Sequence, residues 1–220
     1  MFKPAKYFIF DLDGTLAYTI SDLTDAMNYM LSSLGFPEID EDRALKGINN
    51  GSRKFVQRCL PPDLSNDEKL VDRAFEIYSS YYSGHCTVKT FLYPGVADGI
   101  GYLKRSGACL AVFSNKDDRQ TNEITGSLFP QGTFDVVLGY TGRFPHKPDP
   151  AGALFIAESL GAPAPACVTV VGDSDMDMLL ARNAGMQPVG VGWGYRPASL
   201  LRSLGAELII RNEEDYKLLI

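Results

Sequence analysis

Histidine is scarce in this chain, with only His85 and His146 among 220 residues. The four cysteines (Cys59, Cys86, Cys109 and Cys167) lie far apart with no CxxC pair, so two imidazoles and scattered thiols build no zinc site. Reduced thiols, and with them a cytoplasmic setting, are the expectation. Positive charge is also short: 21 Lys and Arg face 27 Asp and Glu, for a net charge of -6. No basic stretch is available to track a phosphate backbone, which argues against nucleic acid as a partner. Long apolar runs are missing as well. Tyr7-Phe8-Ile9-Phe10, behind Lys3 and Lys6, is stopped by Asp11, too short for a signal segment or a membrane span, so no membrane partner is expected.

What is present is an ordinary globular composition, 45% apolar, 11% aromatic and 22% charged. Continuous apolar runs recur at Tyr7 to Phe10, Cys109 to Phe113, Val136 to Leu138, Cys167 to Val171, Val189 to Val191 and Leu208 to Ile210. Runs of that kind suit strands buried on both faces. Between them lie helical spacings such as Val96, Ile100, Leu103, and Met178, Leu179, Arg182, Ala184 closed by Gly185. Strand and helix in alternation predict an α/β fold with a Rossmann-like parallel sheet core. From about Ile20 to Thr90 the rhythm changes. Leu23, Met27, Met30, Leu31 and Leu34, then Phe55, Val56, Cys59 and Leu60, then Leu70, Ala74, Ile77, Tyr78 and Tyr81 recur helically. The expected division is a core formed by residues 1–19 and 91–220, with an all-helical insertion at 20–90.

The first apolar run leads directly into Asp11-Leu12-Asp13-Gly14-Thr15, which sets two carboxylates at a strand's carboxyl end, where open α/β sheets place their ligands. At this chain's frequencies a DxDGT would arise by chance roughly once in 200 such sequences. In an extended segment Asp11 and Asp13 point to one side, so one can attack an electrophile while the other shuttles protons. Gly14 permits the turn that aims both, and Thr15 can donate its hydroxyl or cap the next element.

A second run ends in Gly172-Asp173-Ser174-Asp175-Met176-Asp177. Three more carboxylates at the same sheet edge would repel one another and Asp11 unless a cation held them, and all-oxygen ligands favour a hard ion such as Mg²⁺. Asp175 alone fits an acidic helix N-terminus. Phe113-Ser114-Asn115-Lys116 offers a hydroxyl and backbone N–H groups for an oxyanion, although Ser-Asn is also ordinary turn chemistry. In His146-Lys147-Pro148-Asp149-Pro150, two prolines stiffen the segment and fix where Lys147 points.

These four segments together resemble the haloacid dehalogenase superfamily, in which DLDGT, a Ser after a strand, a Lys and GDSDMD occur in this order. The similarity extends over almost the whole chain and is nearest to the members with a helical cap after the first strand, of phosphoglycolate phosphatase type. Gly190-Val191-Gly192-Trp193-Gly194-Tyr195-Arg196 adds to it. The resemblance implies that Asp11 is a nucleophile forming an aspartyl-phosphate, that Asp13 is the general acid and then base, and that Ser114 and Lys147 bind the phosphoryl group. It also implies that Asp173, Asp11 and the Asp13 carbonyl bind Mg²⁺, with Asp177 supporting the metal or Lys147. One departure is visible: Ala17-Tyr18-Thr19 stands where family members carry an acid.

The expected function is a Mg²⁺-dependent phosphomonoesterase acting on a small phosphorylated metabolite, as a monomer or homodimer. 2-Phosphoglycolate is the first candidate, and Arg53 of Gly51-Ser52-Arg53-Lys54 is a group that would pair with its carboxylate if it faces inward. A phosphomutase of β-phosphoglucomutase type shares every motif residue, and sugar phosphates, nucleotides and pyrophosphate are alternative substrates. A receiver domain also phosphorylates an Asp, but it is half this length, ends its third strand with the acceptor and lacks a cap.

Overall fold

The computed structural model describes residues 2–48 and 51–220. Six strands, β1 (Tyr7–Phe10), β4 (Cys109–Asp117), β5 (Val136–Tyr140), β6 (Val168–Gly172), β7 (Gln187–Val191) and β8 (Leu208–Ile210), form one sheet. Every pairing is parallel, in the order β5-β4-β1-β6-β7-β8. The side-chain alternation of β1 divides the interior: Phe8 and Phe10 enter one apolar cluster, whereas Ile9 enters another with Phe113, Ile156, Val170 and Leu180. Burial on both faces is what made these segments read as continuous apolar runs. Strand β4 extends past Phe113 to Asp117, with a register shift against β5 that no apolar run announces.

Helices α5 (Val96–Arg105), α6 (Asp118–Leu128), α7 (Ala151–Ser159), α8 (Asp175–Ala184) and α9 (Ala198–Ser203) connect the strands. The chain runs from β1 outward to β4 and β5, then crosses to β6, β7 and β8. Strand order therefore reverses at β1, and its carboxyl end opens into the crevice between β4 and β6.

Between the core segments, α1 (Ile20–Ser33), α2 (Glu41–Gly47), α3 (Ser52–Cys59) and α4 (Glu68–Tyr82) form the helical insertion. Apolar spacing predicted α1, α3 and α4. It missed α2, whose signal is the Asp40 cap accepting the Arg43 N–H at 2.8 Å. A second small sheet was also unforeseen: β2 (Ala17–Tyr18) pairs antiparallel with β3 (Phe91–Leu92), where the chain leaves and re-enters the core. Asp22 in the first turn of α1 fastens the same junction, accepting the Lys89 and Thr90 N–H groups at 2.9 Å and the Thr90 hydroxyl at 2.8 Å. Tyr18, standing where the family pattern has an acid, donates its hydroxyl to Glu41 at 2.6 Å and so ties the junction to α2. No helix among the described residues is long and apolar enough to cross a membrane.

Candidate active site

Asp11 follows the last residue of β1 and its N–H still donates to the Val171 carbonyl at 2.9 Å, so the first carboxylate leaves the sheet beside β6. The chain then turns at Gly14 with φ +81°, and a Cβ there would collide with the Asp173 carboxylate. That close approach lets the Thr15 hydroxyl donate to Asp173 Oδ1 at 2.9 Å. From the opposite side the Tyr195 N–H donates to Asp173 Oδ2 at 2.7 Å. Asp173 is thus gripped by the turn after β1 and the loop after β7.

Lys147 Nζ lies 2.7 Å from both Asp11 Oδ1 and Asp177 Oδ1 and is almost completely buried. Its backbone is held by Asn115, which accepts the Lys147 N–H at 2.7 Å and donates to the Lys147 carbonyl at 3.2 Å. Asp177 sits in a capping box at the start of α8, where Ser174 donates its hydroxyl to Oδ2 at 2.6 Å and its N–H at 3.1 Å. Asp177 is therefore well supplied with donors from within the protein. Asp11 Oδ2 accepts none among the described residues.

Asp13 points toward the helical insertion. Its Oδ1 accepts the Thr19 hydroxyl at 2.5 Å and lies 3.3 Å from Lys116 Nζ. That ammonium in turn donates to the Tyr82 hydroxyl of α4 at 2.7 Å and sits 4.5 Å from its ring centre. The Ser114 hydroxyl oxygen accepts the Lys116 N–H at 3.2 Å, which leaves its own proton free to donate.

Asp11, Asp13, Ser114, Asn115, Lys147 and Asp173 all line one cavity of about 80 Å³. Leu23, Ile48, Phe55 and Tyr78 of the insertion form its apolar wall. At roughly 10–15 Å³ per water, the space holds about six waters, the scale of a small metabolite. Three residues singled out from the sequence have their side chains engaged within the protein. Arg53 is not among the residues lining the cavity: it is half-buried on α3, with its guanidinium on Glu68 at 2.6 Å and Asp72 at 2.7 Å, because α4 packs alongside with two carboxylates. Thr15 spends its hydroxyl on Asp173 instead of a phosphate, and the Asn115 side chain serves the Lys147 backbone. Lys116, Tyr195 and Arg196 line the cavity without having been singled out.

Burial raises the pKa of Asp11 well above its ordinary value, with Lys147 opposing and Asp177, Asp173 and Asp13 adding to the rise. Burial and then Asp177 push Asp173 up to about 7. Burial works against the Lys147 ammonium, yet Asp11 and Asp177 outweigh it and hold its pKa above the ordinary lysine range. Oxygens from Asp11, Asp173 and Asp177 lie within 4.8 Å of one another. Three carboxylates against one buried ammonium leave an excess of negative charge that an oxygen-seeking divalent cation would neutralise, so the donor set fits such an ion.

A stability prediction follows from these shifts. In the cation-free protein Asp173 holds its proton up to about 7, whereas in the unfolded chain it titrates near 3.8. The folded state binds more protons across that window, so this contribution is present below pH 3.8 and is lost as pH rises through about 7. The thermal midpoint in EDTA is expected to be lower at pH 8 than at pH 5, and Mg²⁺ is expected to raise it more at pH 8. A Mg²⁺ effect of the same size at both values would contradict the assignment.

The haloacid dehalogenase-like hydrolase family model matches residues 8–191. The chain is 32% identical over 212 residues to a phosphoglycolate phosphatase of Chromobacterium violaceum, covering 96% of this chain and 94% of that one. To the phosphoglycolate phosphatase of Psychrobacter arcticus it is 35% identical over 204 residues, covering 90% and 88%. A crystal structure from Lactobacillus delbrueckii subsp. bulgaricus superposes with a TM-score of 0.92 at 30% identity, over 99% of both chains.

Proposed function

The chain belongs to the haloacid dehalogenase-like hydrolases, and from that premise we propose that it is a Mg²⁺-dependent phosphatase of small phosphomonoesters, with 2-phosphoglycolate as first candidate substrate. The observation that carries the reading is Lys147 at 2.7 Å from both Asp11 and Asp177, inside a cavity that also presents Asp13 and Ser114.

Lys147 holds Asp11 by Oδ1, which leaves Oδ2 as the attacking atom. Its lone pair forms the new bond to phosphorus while the bond to the leaving oxygen breaks, and Asp13 supplies that oxygen's proton. A water then gives its proton to Asp13 and attacks the aspartyl-phosphate, releasing inorganic phosphate and restoring both carboxyl groups. Lys147 has a third N–H beyond the two used on Asp11 and Asp177, and together with the Ser114 hydroxyl it donates to the phosphoryl oxygens. Mg²⁺ would be held by Asp11, Asp173 and the Asp13 carbonyl, with Asp177 aligning Lys147, and when bound it supplies neutralising charge for phosphoryl transfer. Residues 20–90 act as a cap domain whose apolar wall excludes water and large leaving groups.

A panel of phosphate esters assayed with Mg²⁺ and again with EDTA tests this. Hydrolysis of 2-phosphoglycolate above sugar phosphates, nucleotides and pyrophosphate is expected, with activity lost in EDTA and restored by Mg²⁺ but not Ca²⁺. Full activity in EDTA would end the metal assignment, and a strong preference for sugar phosphates would end the substrate assignment.

A further inference from the structure

Three cations line the cavity among the described residues, and two are already engaged: Lys147 by Asp11 and Asp177, and Lys116 by Asp13 and Tyr82. The third is Arg196. It is half-buried at the cavity, and its guanidinium makes no hydrogen bond or ion pair with any other described residue. Its five N–H donors have no acceptor among the described residues.

The backbone that carries Arg196 is anchored residue by residue. Trp193 Nε1 donates to the Thr15 carbonyl at 3.0 Å. Gly194 packs so tightly on Asp173 that a side chain there would overlap the carboxylate. Tyr195 donates its N–H to Asp173 at 2.7 Å, and its hydroxyl lies 3.2 Å from that of Thr19. Arg196 comes next, and Pro197 behind it restricts its backbone to extended conformations. The charge is therefore mounted on a segment already fixed to Asp173, Thr15 and Thr19, which lowers the ordering cost of using it.

We propose that Arg196 is a specificity-determining residue that pairs with a carboxylate on the leaving group, so that the substrate class is the small phosphate ester of a hydroxy acid. This rests on the phosphatase reading above and adds to it the source of selectivity. The Lys147 ammonium and Ser114 hydroxyl are directed at the transferring phosphoryl group, and the insertion contributes an apolar wall. Among the described cations at the cavity only Arg196 has its charge unspent, and a guanidinium fork matches a carboxylate in geometry. A cavity of about 80 Å³ suits a remainder of a few heavy atoms.

The test compares kcat/KM for 2-phosphoglycolate with that for 2-hydroxyethyl phosphate, similar in size but with an uncharged leaving group, in the wild-type protein and in Arg196→Gln and Arg196→Lys. The wild type is expected to prefer the carboxylated ester. Arg196→Gln is expected to lower the ratio of the two by about 10- to 100-fold, the range of a charge-assisted hydrogen bond, chiefly through KM. Arg196→Lys, which keeps the charge and loses the fork, is expected to fall between. Equal losses on both esters would overturn the proposal, as would an unchanged ratio, while leaving the phosphatase reading in place. Failure of the wild type to hydrolyse either ester with Mg²⁺ would overturn the proposal together with the 2-phosphoglycolate assignment, whereas failure on the whole panel of phosphate esters would overturn the phosphatase reading.

Discussion

Asp11→Asn is expected to reduce turnover by on the order of 10³-fold or more while the protein remains folded. The substitution exchanges one carboxylate oxygen for an NH₂ group of almost the same volume, and the side-chain carbonyl that remains can still accept from Lys147. What disappears is the anionic lone pair at Oδ2, the one Asp11 oxygen that no donor among the described residues occupies. Rapid acid quench of wild-type protein turning over a ³²P-labelled ester should trap label on the chain, and the variant should trap none. Near-normal hydrolysis by folded Asp11→Asn would refute the covalent route, whatever the substrate.

Lys147→Ala should be comparably severe for activity, and it should also cost stability. The ammonium is all but fully buried and touches two carboxylates, one of them Asp177, which is itself inaccessible to solvent. Removing one partner of a buried ion pair typically costs about 3–5 kcal/mol, because the charge left behind is neither solvated nor compensated. Chemical denaturation in EDTA should therefore show a lower midpoint for the variant, with part of the loss recovered on adding Mg²⁺. A variant with wild-type stability and only a few-fold kinetic defect would mean that Lys147 in solution does not sit between these carboxylates.

The segments that were legible in the sequence are those whose purpose is local. Strand β1 shows because burial on both faces demands an unbroken apolar run, and DLDGT and GDSDMD show because their chemistry needs acids at close spacing on a strand end. Two-residue strands such as β2 and β3 have no room for a pattern; they exist because each finds the other across the base of the insertion. Arg53 was expected at the site because nothing nearby in sequence reveals Glu68 and Asp72, which meet it only once α3 and α4 pack. Arg196 was passed over for the complementary reason. Its position depends on Tyr195 reaching Asp173, 22 residues earlier in the chain, a contact no spacing rule contains.

The antiparallel pairing of Ala17–Tyr18 with Phe91–Leu92 has an implication for engineering. Paired strands lie about 4.8 Å apart, so the two severed ends left by excising the helices could be rejoined by a turn of two to four residues. Such a graft is easy in connectivity and hard in solvation. Met27, Met30, Tyr78 and Tyr82 share one continuous apolar cluster with Phe8, Phe10 and Leu12 of the sheet, so a shortened chain would present bare hydrocarbon to water. A transplant of helices from a relative would have to bring a matching apolar underside, whereas Arg196, rooted beyond the cut points, would stay with the recipient.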